Sequence, residues 1–296
     1  MKKWIRKKDL THNHFDVHRW DQIFLNMGDI IISTYPKSGT TREQMTFLQL
    51  IRGPLEGINV TELSPYVDLC IESVEGVIDR IAEQKEYRRV LKSHLPLEYL
   101  PYNKEVDYID VWRHPLDLAV SLFHHHNNAN NAMFVAINEN RSKNTEEFLP
   151  NTLSLKEWIA RWVDQDGYPY WSYSKHINST CKFKHLKNVH LFHYGDLAKN
   201  GLLFEIRKRM NILGLDFKGK KLEEIVDLCS FIKMKEQART SAPYGGVIWG
   251  KGKGEEFFRN GKSGEWREIF TEQEASRFLD ILIKRIDEGA ARYLIQ

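Results

Sequence analysis

Residues 29–45 read DIIISTYPKSGTTREQM: an apolar run, a tight lysine-bearing turn and the opening of a helix-like segment. Ile30, Ile31 and Ile32 are consecutive and β-branched, which suits a strand buried on both faces of a parallel sheet. Gly39 permits the tight turn, and Thr40 and Thr41 suit a helix start, so unpaired N–H groups converge near Ser38 to Thr41. Such a helix start is an anion site. Lys37 adds a full positive charge, and the hydroxyls of Ser38, Thr40 and Thr41 add donors, so phosphate or sulfate is the expected guest. A Walker A loop begins with a glycine and carries its lysine just before the final Ser or Thr. Here Lys37 precedes Gly39, and no earlier glycine stands where the pattern begins.

Further strand-like runs lie at 89–93, 107–112 and 188–193, after the first at 29–34. Helix-like segments are expected at 41–51, 76–84, 115–126, 155–165, 202–213, 221–229 and 272–290. This alternation predicts an α/β fold, a central and mostly parallel sheet with helices on both faces, in one domain spanning 1–296. Ligands of such folds sit beyond the carboxyl ends of strands. With 42% hydrophobic and 28% charged residues the chain reads as soluble and globular, and a net charge of +3 does not imply a nucleic-acid partner. Cys70, Cys181 and Cys229 are widely spaced and odd in number, which suggests neither a disulfide framework nor a zinc site and fits the reducing cytoplasm. The basic start MKKWIRKK is followed by polar DLTHNHFD, where a signal peptide needs an apolar core. No run approaches the roughly 18 apolar residues of a membrane span.

Two motifs follow at strand ends. In RVLKSHLPLEYLP, Lys92 and His94 alternate along an extended chain and share a face, with Ser93 opposite. An imidazole beside an ammonium stays neutral and is suited to take a proton from a hydroxyl. In DVWRHPLDLAVSLFHHH, Pro115 suits the first helical position, which sets Arg113 just before a helix start and Ser121 one turn beyond Asp117, where both face one anion. His124, His125 and His126 are adjacent on that helix and do not converge on a metal. Near the C-terminus, the stretch from Gly245 to Gly264 is dense in glycine, and its tip Arg259, Asn260 and Gly261 offers a guanidinium and free amides, as a lid over phosphate would.

These motifs, in this order, resemble the cytosolic sulfotransferase family, whose members carry a sulfuryl group from 3′-phosphoadenosine 5′-phosphosulfate (PAPS) to a hydroxyl or amine. YPKSGTT resembles the loop around the donor's 5′-phosphosulfate, KSHLPLEYLP the segment with the catalytic histidine, RHPLDLAVS the segment that holds the 3′-phosphate, and FFRNGKSGEW the closing R-x-G signature. The resemblance implies a P-loop-like phosphosulfate loop with Lys37, Ser38, Gly39, Thr40, Thr41 and Arg42. It assigns catalysis to His94 as general base with Lys37 and Lys92, and the 3′-phosphate to Arg113, Ser121 and Arg259, with Asn260 and Gly261. Tyr194, Cys229, Phe231 and Met234 are placed around the adenine. The product would be 3′-phosphoadenosine 5′-phosphate, and no metal would be needed. Three departures stand out: Arg42 replaces a purine-stacking tryptophan, Cys229 replaces a threonine, and FTEQEASRF lacks the family's dimer motif, so no oligomeric state is implied.

Two other readings stay open at this level. A P-loop kinase-like phosphotransferase would use Asp110 of YID for magnesium, and a non-catalytic module would hold a sulfated or phosphorylated ligand. The expected partner is a small-molecule acceptor, with no nucleic acid and no membrane. SPYVDL and the polar HHNNANNAMF are the stretches expected to shape the acceptor pocket.

Overall fold

The structure, a computed structural model, describes residues 3–142, 144–252 and 254–295. Met1 and Lys2 of the basic start, and Lys253 of the glycine-rich stretch, lie outside the described residues, as do Lys143 and Gln296.

All four expected strands form: β1 Ile30–Ser33, β2 Val90–Ser93, β3 Asp107–Trp112 and β4 Val189–His193. They pair in parallel throughout, in the order β2-β1-β3-β4. Alternation sends Ile31, Leu91, Tyr108 and Trp112 into one apolar core and Ile30, Ile32, Val90, Ile109 and Val111 into the other. Both faces of the sheet are therefore covered, as a run of three isoleucines requires. The helix Pro115–Asn127 closes the first core with Leu116, Leu118 and Leu122. The helix Thr40–Arg52 closes the second with Met45, Phe47 and Leu48. From β1 the chain passes to β2 on one side and then to β3 on the other, so a crevice opens at the carboxyl ends of β1 and β3.

The helices Val74–Ala82, Leu155–Asp164, Leu202–Leu213 and Gly219–Leu228 also lie where the periodicity predicts them. The expected helix 272–290 is broken into Glu272–Ile283 and Glu288–Leu294. Asp287 interrupts it by accepting a hydrogen bond from the Gly289 N–H, a side-chain cap that starts the second helix. Among the described residues, two helices of ten residues or more have no counterpart in the sequence reading. Asn131–Asn140 is capped by Asn130, and Tyr173–Phe183 by Ser172. Among the described residues no helix is long and apolar enough to cross a membrane.

A buried ion pair fixes the first turn of Thr40–Arg52 to the neighbouring helix. The Arg209 guanidinium donates to Glu43 through Nε and Nη2, each at 2.9 Å, and to Glu205 at 2.6 Å. Its plane lies 3.5 Å from the centre of the Phe192 ring. Burial alone would raise the pKa of Glu43, but the Arg209 and Arg42 guanidiniums outweigh it and hold the carboxyl below its ordinary value. Removing one partner strands the other charge in the core. Arg209→Met should therefore cost about 3–5 kcal/mol in a urea melt, and adding Glu43→Gln should restore part of that loss. A single-variant loss under about 1 kcal/mol would show that the pair does not anchor the helix.

Candidate functional site

The strand register delivers the site. Ser33 lies opposite Ser93, so the residues that follow, Thr34 and His94, emerge side by side. The His94 Nδ1–H donates to the Thr34 carbonyl at 2.6 Å. A carbonyl cannot donate, so this bond fixes the tautomer and leaves Nε2 with its lone pair. Trp112 lies opposite His193, so Arg113 and Tyr194 emerge together, with the guanidinium 4.6 Å from the ring centre. Arg42 covers the same ring at 4.7 Å. Lys92 and His94 share a face, as alternation predicts: Lys92 Nζ lies 4.4 Å from the centre of Tyr66 and the His94 ring meets Tyr66 edge-on.

A cavity of about 420 Å³ opens at this crevice and takes in Lys37, Gly39, Thr40, Thr41, Arg42, Lys92, His94, Arg113, Ser121, Tyr194, Cys229, Phe231, Met234, Arg259, Asn260 and Gly261. Of the residues singled out in the sequence, Ser38 is the exception. It is buried and does not line the cavity. The turn before it is tightened from within: Lys37 adopts a left-handed φ of 68°, and its carbonyl accepts from Arg113 Nη1 at 3.0 Å. Across the turn the Thr34 and Thr40 hydroxyls meet at 2.6 Å. Gly39 and Gly261 both have positive φ, and a Cβ at either would strike an aromatic ring, that of Tyr194 at 2.9 Å and that of Phe231 at 2.7 Å. Glycine lets these two rings close on the backbone.

All charged residues that line the cavity are cations: Lys37, Arg42, Lys92, Arg113 and Arg259, with no aspartate or glutamate among the described residues. Burial, and then Arg113, Arg259 and Lys92, push Lys37 down to about 7. Burial pushes Lys92 down to about 8 against the pull of Asp68. His94 is held well below its ordinary value, first by burial and then by Lys92, so the expected ammonium effect is present but secondary. Buried Arg42 Nη1 and Arg113 Nε have no protein partner, which fits an anionic guest. Arg259 is paired bidentately with Glu265 and holds that carboxyl down at about 2.

The described part of the glycine-rich stretch is anchored over the cavity. Arg113 Nη2 donates to the Lys262 carbonyl at 3.0 Å, and the Gly264 N–H donates to Asp117 at 2.7 and 2.9 Å. The asparagines of HHNNANNAMF, expected at the acceptor pocket, do other work. Asn128 donates to the Glu256 carbonyl and Asn130 to the Val247 carbonyl, tying the stretch down, while His125 and Met133 reach the wall. SPYVDL supplies Tyr66 and Leu69. His14, Tyr170, Trp171, Tyr244, Trp249 and Phe257 complete the wall and were not foreseen. Only the pattern of apolar residues between glycines in VIWG and EEFF signals any of them. Asp110 is turned away from the cavity, accepting from Trp112 Nε1 at 2.8 Å and the Thr180 hydroxyl at 2.7 Å in the core. Among the described residues no group of three or more His, Cys, Asp or Glu is placed to hold a metal ion.

A family model described as a sulfotransferase domain matches residues 27–288. A glycolipid sulfotransferase of Mycobacterium tuberculosis is 30% identical over 282 residues, covering 88% of this chain and 85% of the relative. Sulfotransferase 1A1 of Rattus norvegicus is 26% identical over 257 residues, with 84% and 81% covered. Among solved structures, a mouse sulfotransferase complexed with PAP shares the fold with a TM-score of 0.73 at 23% identity, covering 94% of this chain and 92% of that one. Retinol dehydratase in a complex with retinol and PAP does so with a TM-score of 0.68 at 20% identity, covering 90% and 83%.

Lys37 is near half-protonation at neutral pH, and an oxyanion beside it favours the charged form. Anion binding should therefore take up protons near neutrality, and affinity should be greatest below about pH 7 and fall as pH rises through the values near 7 and 8 that Lys37 and Lys92 show. Calorimetry with sulfate, an anion that does not itself titrate in this range, in buffers of different ionisation enthalpy checks this. An affinity constant between about pH 6 and pH 9 would mean that neither lysine changes charge.

Proposed function

The chain belongs to the sulfotransferase family of enzymes, and on that premise we propose that, as a single domain, it transfers a sulfuryl group from PAPS to a hydroxyl of a small-molecule acceptor. The observation that carries this reading is a tautomer-fixed histidine in a cavity charged only by cations. PAPS supplies an activated sulfuryl group when bound. The chain's own residues bind, orient and move a proton. Lys37, the free amides at the start of Thr40–Arg52 and Lys92 stabilise negative charge that grows on the leaving phosphate oxygen. His94 takes the acceptor's proton at Nε2. Arg113, Ser121 and Arg259 hold the 3′-phosphate, with the amides of Asn260 and Gly261, and Tyr194, Arg42, Phe231, Cys229 and Met234 surround the purine.

A hydroxyl is favoured over an amine, because among the described residues no carboxylate lines the wall to hold an ammonium. The lysines and arginines supply the charge a metal would supply, so the reading needs none. The three free cysteines suit a reducing, cytoplasmic setting. One relative is named a glycolipid sulfotransferase and one structural neighbour binds retinol, and an apolar wall that includes Leu69, Met133 and Trp249 suits an acceptor with an apolar body.

His94→Ala should lower turnover by about 10² to 10⁴ while affinity for adenosine 3′,5′-bisphosphate stays nearly constant, and wild-type turnover should persist in excess EDTA. Lys37→Ala should weaken both donor binding and turnover. Normal turnover of the His94 variant on the true acceptor would end its role as base. Charged hydrogen bonds contribute about 1.5 to 3 kcal/mol each, so adenosine 5′-phosphosulfate, which lacks the 3′-phosphate, should bind at least tenfold more weakly than the bisphosphate. Equal affinities would remove Arg113, Ser121 and Arg259 from that assignment.

A further inference from the structure

Two residues that line the cavity carry hydrogen-bonding atoms that no other group in the protein pairs. His14 and Tyr170 both line the cavity, at 4% and 7% exposure. The Asn13 amide nitrogen donates to the Glu146 carbonyl at 3.0 Å, which turns its oxygen to accept from His14 Nδ1–H at 2.6 Å. His14 Nε2 is thus an acceptor, and it has no protein partner; the Tyr170 hydroxyl has none either. The two rings are 5.3 Å apart. Trp171 Nε1 and Trp249 Nε1 on the same cavity are unpaired as well, but His14 and Tyr170 are the closer neighbours and together both accept and donate; buried polar groups are nearly always paired, so this pair calls for a ligand. Burial, with His12 next, holds His14 well below its ordinary value, so the ring is neutral. A neutral acceptor beside a group that both donates and accepts matches a hydroxyl, which does both from one atom. Trp171 spans the gap to the base, with its ring 6.1 Å from His94 and 6.4 Å from His14.

We propose that His14 and Tyr170 form a subsite for a second, uncharged hydroxyl of the acceptor, remote from the one presented to His94, so that the enzyme prefers acceptors carrying two separated hydroxyls. This rests on the sulfotransferase reading, with His14 and Tyr170 as specificity-determining rather than catalytic residues. The acceptor's apolar body would lie along Trp171. Its second hydroxyl would donate to His14 Nε2 and accept from Tyr170, and a molecule without that hydroxyl would leave both groups unpaired.

The test uses the full chain saturated with adenosine 3′,5′-bisphosphate and measures equilibrium binding of two matched pairs: 2-naphthol with 2,6-dihydroxynaphthalene, and cyclohexylmethanol with 1,4-cyclohexanedimethanol. Wild type should bind the diol of at least one pair about tenfold more tightly. His14→Phe and Tyr170→Phe should each bring that ratio close to one, with bisphosphate affinity reporting intact folding. Tyr170→Phe removes a single oxygen, so it keeps the test usable if His14→Phe fails to fold. Equal binding within both pairs, no binding of any probe, or a preference that survives Tyr170→Phe would overturn the subsite. A wild-type protein that does not bind the bisphosphate at all would instead strike the donor reading on which the subsite rests.

Discussion

The parallel register of β1 against β2, and of β3 against β4, is the constraint from which the site follows. Pairing Ser33 with Ser93 places the Thr34 carbonyl where it orients His94, and pairing Trp112 with His193 places Arg113 against Tyr194. A slip of one residue in either pair would turn the outgoing side chains to the opposite face of the sheet. That register is enforced by two apolar cores, because Ile31 belongs to one and Ile30 and Ile32 to the other. Packing and chemistry are therefore specified by the same residues.

A cavity with five cations and no carboxylate would be costly if all five charges were full and unrelieved. The protein relieves them in three ways. Burial, joined at Lys37 by the neighbouring cations and opposed at Lys92 by Asp68, lowers the pKa of both lysines. Arg113 donates through Nη1 and Nη2 to the carbonyls of Lys37 and Lys262, so one guanidinium ties the turn at Lys37 to the closing segment. Arg42 and Arg113 both lie over the Tyr194 ring, whose electron-rich face favours a cation. Arg42 is also held as a cation by Glu43 at 3.4 Å.

Most of this was legible in the sequence where local chemistry decides the outcome. Strand runs rich in Ile and Val, a glycine before two threonines, and Pro115 at a helix start each have one good conformation, and the structure adopts it. What stayed hidden was decided by contacts between distant segments. Nothing near His14 announces that it will meet Tyr170, 156 positions further on. The asparagines at 128 and 130 read as a polar pocket lining because their partners, carbonyls in the glycine-rich stretch, carry no side-chain signature. Ser38 counted as a donor by composition alone, whereas the left-handed turn at Lys37 carries it behind the wall. The break before Glu288 was missed because an aspartate cap, not a glycine or proline, makes it.

The pairing of Arg259 with Glu265 has a consequence for how an anion enters. One edge of the guanidinium is already taken, so an anion approaching that edge is not captured by a vacant charge but competes with a carboxylate held six residues away in the same turn of chain. Added salt screens the outgoing partner as well as the incoming one. The ionic-strength dependence of binding should therefore be shallower than a tally of five cations suggests, and the displaced Glu265 is left to be hydrated or to find another neighbour. Arg259 acts in this sense as an exchanger whose resting counter-ion is built into the chain.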